Sequence, residues 1–369
     1  MDAVRLTIDG IEVEVREGGT ILEAAQNAAL YIPALCSHPD LSPARGIKSG
    51  EVIFRGGETI QGTGDSREFE GCQLCIVEIE GREGTYTACN TPAAEGMVVH
   101  TNRPQLQEQR RENLTRILVK HPHTCLICAQ KEGCSLTQCS SNVPQKERCC
   151  PKFSYCELRK IAEYIGIKED IRRYIPQNLP IVDDEPLVIL NYNLCIGCLR
   201  CVRACQELQK IGALGFVYRD KEVIVGTIAP TLKESKCKSC GTCIEVCPTG
   251  TLLDKSEKAK AVRAKKLKIS PPILPPTELL KFDAPTIGSI PEVEGVYQLL
   301  DEQKSIIYIK GTMNLRQELQ EQLEQNKEAH YFKWETEPMY TRRESELIQQ
   351  FLQAHGKLPV QNDELADLF

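Results

Sequence analysis

Tryptophan occurs once in 369 residues and aromatic side chains make up only 5% of the chain. So little aromatic mass suits small domains held partly by metal. No apolar run is long enough to span a bilayer, so no membrane span is expected. The opening MDAVRLTIDG has neither a basic n-region nor an apolar h-region, and no twin-arginine leader, which points to the cytoplasm. Thiols stay reduced there, and clustered cysteines mean metal more often than disulfide. Net charge is −6 with both signs interspersed, so the whole-chain basic field of a nucleic-acid binder is missing. No Gly-rich dinucleotide fingerprint follows a strand in a βαβ unit, so no Rossmann-type nucleotide site is expected. What the chain has is cysteine: nineteen of them, none beyond Cys247.

The densest stretch reads CIGCLRCVRAC and, about thirty residues later, CKSCGTCIEVCP. Each run has three cysteines two residues apart and a fourth after three more. The stretch resembles the two-cluster bacterial ferredoxins, in which three thiolates come from one turn and the fourth ligates the other cluster. That pattern implies one [4Fe–4S] cluster on Cys195, Cys198, Cys201 and Cys247, and a second on Cys237, Cys240, Cys243 and Cys205. Paired CxxC also suits zinc, but eight cysteines in two matching runs are too many and too regular for it.

At the amino terminus, VRLTIDGIEVEV alternates around Asp9-Gly10, a hairpin signal. Thr20 with Glu23 before ILEAAQNAAL is a capping box opening a helix. A hairpin followed directly by a helix begins a β-grasp domain. IPALCSHPDLSPARG, GCQLCIVEIEG and ACNTP resemble the amino-terminal [2Fe–2S] region shared by the large iron–sulfur subunit of respiratory complex I, [FeFe]-hydrogenases and NAD-linked formate dehydrogenases. The resemblance implies a [2Fe–2S] cluster on Cys36, Cys72, Cys75 and Cys89. Residues 37–71 exceed the usual spacing, and the extra stretch alternates around Gly56-Gly57 as an inserted hairpin.

A helix is predicted from Pro104, with Leu106, Leu114, Ile117 and Leu118 on one face and Arg110, Arg111 and Arg116 on a solvated one. It runs into KHPHTCLICAQKEGC, whose HxxxCxxC…C order resembles the His-ligated [4Fe–4S] site of the same families. The resemblance implies His121, Cys125, Cys128 and Cys134 as ligands, with Cys156 the alternative to Cys134 because CELRKIAEYIGI follows it. His123 does not fit the spacing. A neutral imidazole in place of a thiolate makes the site less negative and raises its potential. The remaining set, Cys139, Cys149, Cys150 and Cys156, suits a further [4Fe–4S] cluster or, alternatively, a structural zinc.

Beyond Lys255 a basic run and a Pro-rich run read as a linker. Residues 290–369 alternate strand and helix and resemble a GIY-YIG nuclease domain through Gly295-Val296-Tyr297, Tyr308-Ile309 and Glu346. Lys310 replaces the second motif's glycine, and Glu318 stands where an arginine would steady a phosphate. The segment is therefore read as a catalytically silent docking domain.

The expectation is an α+β chain of five segments: a β-grasp [2Fe–2S] domain (1–103), a small helical His/Cys domain with a cysteine-bearing insert (104–186), a two-cluster ferredoxin domain (187–254), a linker (255–289) and a GIY-YIG-like domain (290–369). Its cofactors would be one [2Fe–2S] and three to four [4Fe–4S] clusters. The resemblance implies an electron-transfer subunit between a flavin subunit handling NAD(P)H and a catalytic oxidoreductase subunit or ferredoxin, with electron bifurcation within its range. The catalytic partner would be a hydrogenase, a formate dehydrogenase or another molybdenum or tungsten enzyme. A redox sensor or scaffold, and an iron–sulfur nuclease, are the competing readings.

Overall fold

The computed structural model describes residues 3–28, 30–64, 67–128, 139–168, 170–183, 188–255, 269–275, 279–288, 290, 292–303, 305–337, 339–355 and 357–362. Contacts gather the chain into two units, Met1–Cys128 with Leu136–Pro275, and Ala129–Ser135 with Pro276–Phe369.

The first unit opens with β1 (Ala3–Ile8) and β2 (Ile11–Arg16), paired antiparallel with Ile8 opposite Ile11. Asp9 (φ 48°) and Gly10 (φ 84°) both turn left-handed, as a two-residue hairpin of this twist requires. Helix α1 (Ile21–Asn27) begins on a reciprocal cap: Thr20 Oγ1 accepts from the Glu23 N–H at 3.1 Å, and Glu23 Oε2 accepts from the Thr20 N–H at 2.7 Å. Then follow β3 (Val52–Arg55), β4 (Glu58–Gln61), β5 (Ile76–Ile79), β6 (Tyr86–Thr87) and β7 (Met97–His100). One sheet has the order β2-β1-β7-β5-β6, with β7 parallel to β1. Its buried face carries Leu6, Ile8, Val77 and Val99 against Ile21 and Ala25 of α1.

Helix α2 (Pro104–Leu118) buries Leu106, Leu114 and Leu118, as its spacing predicts. Its arginines are not all solvated. Arg110 is only 2% exposed and donates to three main-chain carbonyls: Leu74 at 3.0 Å, Thr101 at 2.9 Å and Ile76 at 2.7 Å. A guanidinium carries five donors in a fixed fork, so it can serve several carbonyls at once inside a core. The expectation of a solvated face holds for the exposed Arg111 and Arg116 and fails for Arg110. Helix α3 (Glu157–Ile165) shares the α2 core through Leu158, Ile161 and Ile165.

The ferredoxin-like region comprises β8 (Ile181–Val182), β9 (Val188–Asn191), α4 (Arg200–Glu207), β10 (Leu214–Arg219), β11 (Glu222–Thr227), α5 (Thr242–Glu245) and β12 (Leu252–Asp254). The inserted hairpin does form, but its partner lies far along the chain. Strand β3 pairs with β11 through Phe54 and Thr227, giving the sheet β10-β11-β3-β4. The insert thus ties the amino-terminal domain to the ferredoxin-like region.

The second unit, taken alone, is a sheet of order β13-β16-β14-β15 with helices: β13 (Leu280–Lys281), α6 (Ala284–Gly288), β14 (Gly295–Leu300), β15 (Ile306–Thr312), α7 (Leu315–Gln325), β16 (Tyr331–Thr336) and α8 (Tyr340–His355). Strand β13 pairs with β16, and Phe282 and Ile287 join its core, so residues 280–288 belong to this fold and not to a linker.

Candidate metal centres

Four thiols converge at the edge of the amino-terminal sheet. Cys36, Cys75 and Cys89 are buried and Cys72 is half-buried. Hydrogen bonds from the Cys72 and Cys89 thiols push Cys36 well below the ordinary thiol range. The same Cys36 contact leads the upward shifts of Cys72 and Cys89, and Cys89 also bonds Cys75. One thiolate stabilised by neighbouring S–H groups is a set predisposed to surrender protons to a metal. Helix α2 holds the loop that presents two of them. Besides Arg110, Asn113 Nδ2 donates to the Gln73 carbonyl at 2.8 Å, and Gln73 itself is left-handed (φ 56°).

Within the ferredoxin-like region, a pair of cavities lies side by side. One, partly open to solvent, is lined by Cys205, Cys237, Cys240 and Cys243. The other is lined by Cys195, Cys198, Cys201 and Cys247. Leu190, Leu214 and Leu252 wall both, so a thin apolar layer separates them. Helices α4 and α5 each begin on a left-handed residue, Leu199 (φ 59°) and Gly241 (φ 79°). That bend lets a cysteine loop turn sharply into a helix carrying the next ligand. Burial pushes the Cys198 thiol up to about 12 and raises Cys201 and Cys243 as well. Thiols in such surroundings give up their protons only when a cation takes over the charge.

His121 is 4% exposed. Its Nδ1 donates to the Pro122 carbonyl at 2.8 Å, which leaves the Nε2 lone pair buried and, among the described residues, without a hydrogen-bond partner. Burial pushes its pKa down to about 4, keeping the neutral form a metal requires. His123 has the same arrangement: Nδ1 lies 2.7 Å from the Leu118 carbonyl, and Nε2 is buried with no partner among the described residues. Sequence spacing sets His123 aside, and nothing in the motif reveals its buried lone pair. Cys125 receives the Cys149 N–H at 3.2 Å, and a hydrogen bond from the Cys149 thiol pushes its pKa down to about 6. Cys149 itself reaches the Pro122 carbonyl at 3.5 Å. Cys128 lies 3.5 Å from Ser141 Oγ. Cys134 lies outside the described residues.

The insert's other cysteines face elsewhere. Cys139 accepts from the Val143 N–H at 3.4 Å. Cys156 donates to the Pro248 carbonyl at 3.7 Å. Cys150 packs on Gly250 so tightly that a Cβ there would lie 2.2 Å from its sulfur. Among the described residues no three or more His, Cys, Asp or Glu side chains close to the spacing of a single metal ion.

Comparison with known proteins matches stretches of the chain to known domain families. Residues 1–104 match a 2Fe-2S iron-sulfur cluster binding domain, and residues 185–253 match the ferredoxin-like domain of NADH-quinone oxidoreductase subunit 3. Two stretches of this chain are iron–sulfur domains. The iron–sulfur chain is 32% identical over 261 residues to a subunit of NADH-quinone oxidoreductase from Rhizobium meliloti (strain 1021), covering 70% of itself and 25% of that protein. It is 30% identical to the NADP-reducing hydrogenase subunit HndD of Solidesulfovibrio fructosivorans, covering 69% and 36%. To the NADPH-Fe(3+) oxidoreductase subunit alpha of Geobacter sulfurreducens (strain DL-1 / KN400) it is 31% identical, covering 68% and 24%. The chain therefore spans between about a quarter and about a third of the length of these relatives. A crystal structure of an NAD+-reducing [NiFe]-hydrogenase in the H2-reduced state shares the fold, with a TM-score of 0.50, 24% identity and coverage of 69% of this chain and 88% of that one.

The iron–sulfur chain's donor sets fit such clusters: thiols in fours around apolar-walled cavities, and a buried imidazole whose Nε2 has no hydrogen-bond partner among the described residues. Residues 278–354 match a domain of unknown function, so the GIY-YIG resemblance finds no support there. In that unit Glu346 is engaged by Arg342 at 3.0 Å and Arg343 at 3.4 Å, and Glu318 accepts from the Tyr297 hydroxyl at 3.4 Å. Among the described residues no helix is long and apolar enough to cross a membrane.

Proposed function

We propose that this chain relays single electrons within an NAD(P)H-linked oxidoreductase complex. One observation carries the reading: a pair of cavities, each lined by four cysteines drawn from both motifs, shares a wall made by Leu190, Leu214 and Leu252. A bound cluster takes up and returns one electron without bond chemistry while its protein ligand set is full. The chain's residues do the rest. Cysteines fix each centre, leucines exclude water between two of them, and the Cys36 loop brings a further centre into the same unit. The ligand sets are Cys36, Cys72, Cys75 and Cys89; His121, Cys125, Cys128 and Cys134; Cys195, Cys198, Cys201 and Cys247; and Cys205, Cys237, Cys240 and Cys243. Of the insert's cysteines, Cys149 stands against Cys125 of the His121 set, and the set Cys139, Cys149, Cys150 and Cys156 would hold either a fourth [4Fe–4S] cluster or a structural zinc. Electrons would enter from a flavin-bearing subunit that oxidises NAD(P)H in the cytoplasm and leave to a catalytic subunit or ferredoxin.

The isolated chain is expected to bleach on addition of dithionite and to show no NADH oxidation until a flavoprotein is added. NADH oxidation by the chain alone would contradict the relay. His121→Cys, which substitutes a thiolate for a neutral imidazole, is expected to keep the iron content and to lower the potential of that one centre. Potentiometric EPR checks this; an unmoved set of midpoints would remove His121 from the ligands.

A further inference from the structure

Arg200 stands between Cys198 and Cys201 at the start of α4, and it is only 1% exposed. Nη1 and Nη2 meet the two carboxylate oxygens of Glu157 at 2.7 and 2.6 Å. Nη2 also donates to the Ala34 carbonyl, and Nη1 to that of Val246, each at 3.4 Å. Ala34 lies two residues before Cys36, Val246 directly before Cys247, and Glu157 directly after Cys156. One guanidinium thus touches the backbone of two cysteine segments and pairs with the residue following a third. Its Nε, buried, finds no acceptor among the described residues. The charge is permanent, since an arginine does not titrate in the working range of proteins.

We propose that Arg200 is a positioning residue whose fixed positive charge is shared by the Cys36 centre and the Cys195 centre and sets their reduction potentials together. The inference rests on the cluster reading above. Reduction adds a negative charge to a cluster, and a nearby buried cation stabilises that charge more than it would in water. The guanidinium, not the carboxylate, makes the contacts to the Ala34 and Val246 carbonyls. Glu157 moderates the charge, so removing either partner should shift both centres, in opposite directions.

The test is a potentiometric EPR titration of the full chain, purified anaerobically with its iron counted, as wild type, Arg200→Met, Arg200→Lys and Glu157→Gln. Arg200→Met is expected to move the [2Fe–2S] midpoint and that of the Cys195 centre to more negative values, with the Cys205 centre moving less than either. Arg200→Lys should restore both midpoints toward wild type, and Glu157→Gln should move both to more positive values. An Arg200→Met protein with full iron and wild-type midpoints would overturn the inference, as would movement of only one of the two centres. Should Arg200→Met fail to take up iron, Glu157→Gln decides, because unmoved midpoints there overturn it equally. A wild-type chain without paramagnetic centres would instead bring down the cluster reading itself.

Discussion

Cys240→Ala is expected to lower the iron content by about four atoms per chain, and Cys205→Ala to remove the same four. The two residues lie on different motifs, yet both line one cavity, while Cys247 of the second motif lines the other with Cys195, Cys198 and Cys201. The crossed arrangement therefore makes a prediction that a simple motif-by-motif reading does not. The double variant Cys205→Ala/Cys240→Ala should lose no more iron than either single variant, since both changes act on one site. Cys240→Ala/Cys247→Ala should lose about eight atoms. Iron and acid-labile sulfide assays on anaerobic protein, with EPR of the dithionite-reduced state, measure this. If Cys205→Ala instead depletes the centre lost in Cys195→Ala, the crossing is wrong.

Arg110→Leu is expected to cost about 3–5 kcal/mol of stability. The change deletes the donors to the Leu74, Ile76 and Thr101 carbonyls, and each buried carbonyl left bare costs about 1–3 kcal/mol before relaxation. In a unit of this size that corresponds to a fall in Tm of roughly 10 °C. Two of those carbonyls flank Cys75, so the visible absorbance of the [2Fe–2S] centre should be lost before the rest of the unit melts. Arg116→Ala is the control: Arg116 is exposed and bonds Asn113 of its own helix at 3.2 Å, so its loss should stay within about 0.5 kcal/mol. Equal melting of the two variants would refute the role given to Arg110.

The elements legible in the sequence are those whose causes are local. The Asp9-Gly10 turn and the Thr20–Glu23 cap are written in adjacent residues, and both form as expected. The helix and strand pattern of the second unit is equally short-range. What stays hidden depends on distant partners. The polar stripe of α2 reads as solvated because periodicity cannot see the loop 34 and 36 residues earlier whose carbonyls Arg110 serves. Strand β13 reads as linker because its partner β16 comes some fifty residues later. The inserted hairpin is legible as a hairpin, but its pairing with β11, more than 170 residues away, is not.

The candidate centres divide in the same way. Regular spacing marks the eight cysteines between Cys195 and Cys247, since one turn must present three thiols at once. The insert has no such rule: adjacent Cys149 and Cys150 point to different neighbours, one to Cys125 and the other to Gly250. Glu157 and Arg200, separated by 43 residues, form a buried pair that no motif announces.

Metal analysis of the full chain purified without oxygen bears most directly on the whole account. The prediction is about 14 to 18 iron atoms per chain, matched by acid-labile sulfide, with dithionite generating paramagnetic signals of both [2Fe–2S] and [4Fe–4S] type. Stoichiometric zinc, with neither labile sulfide nor an EPR signal on reduction, would contradict it.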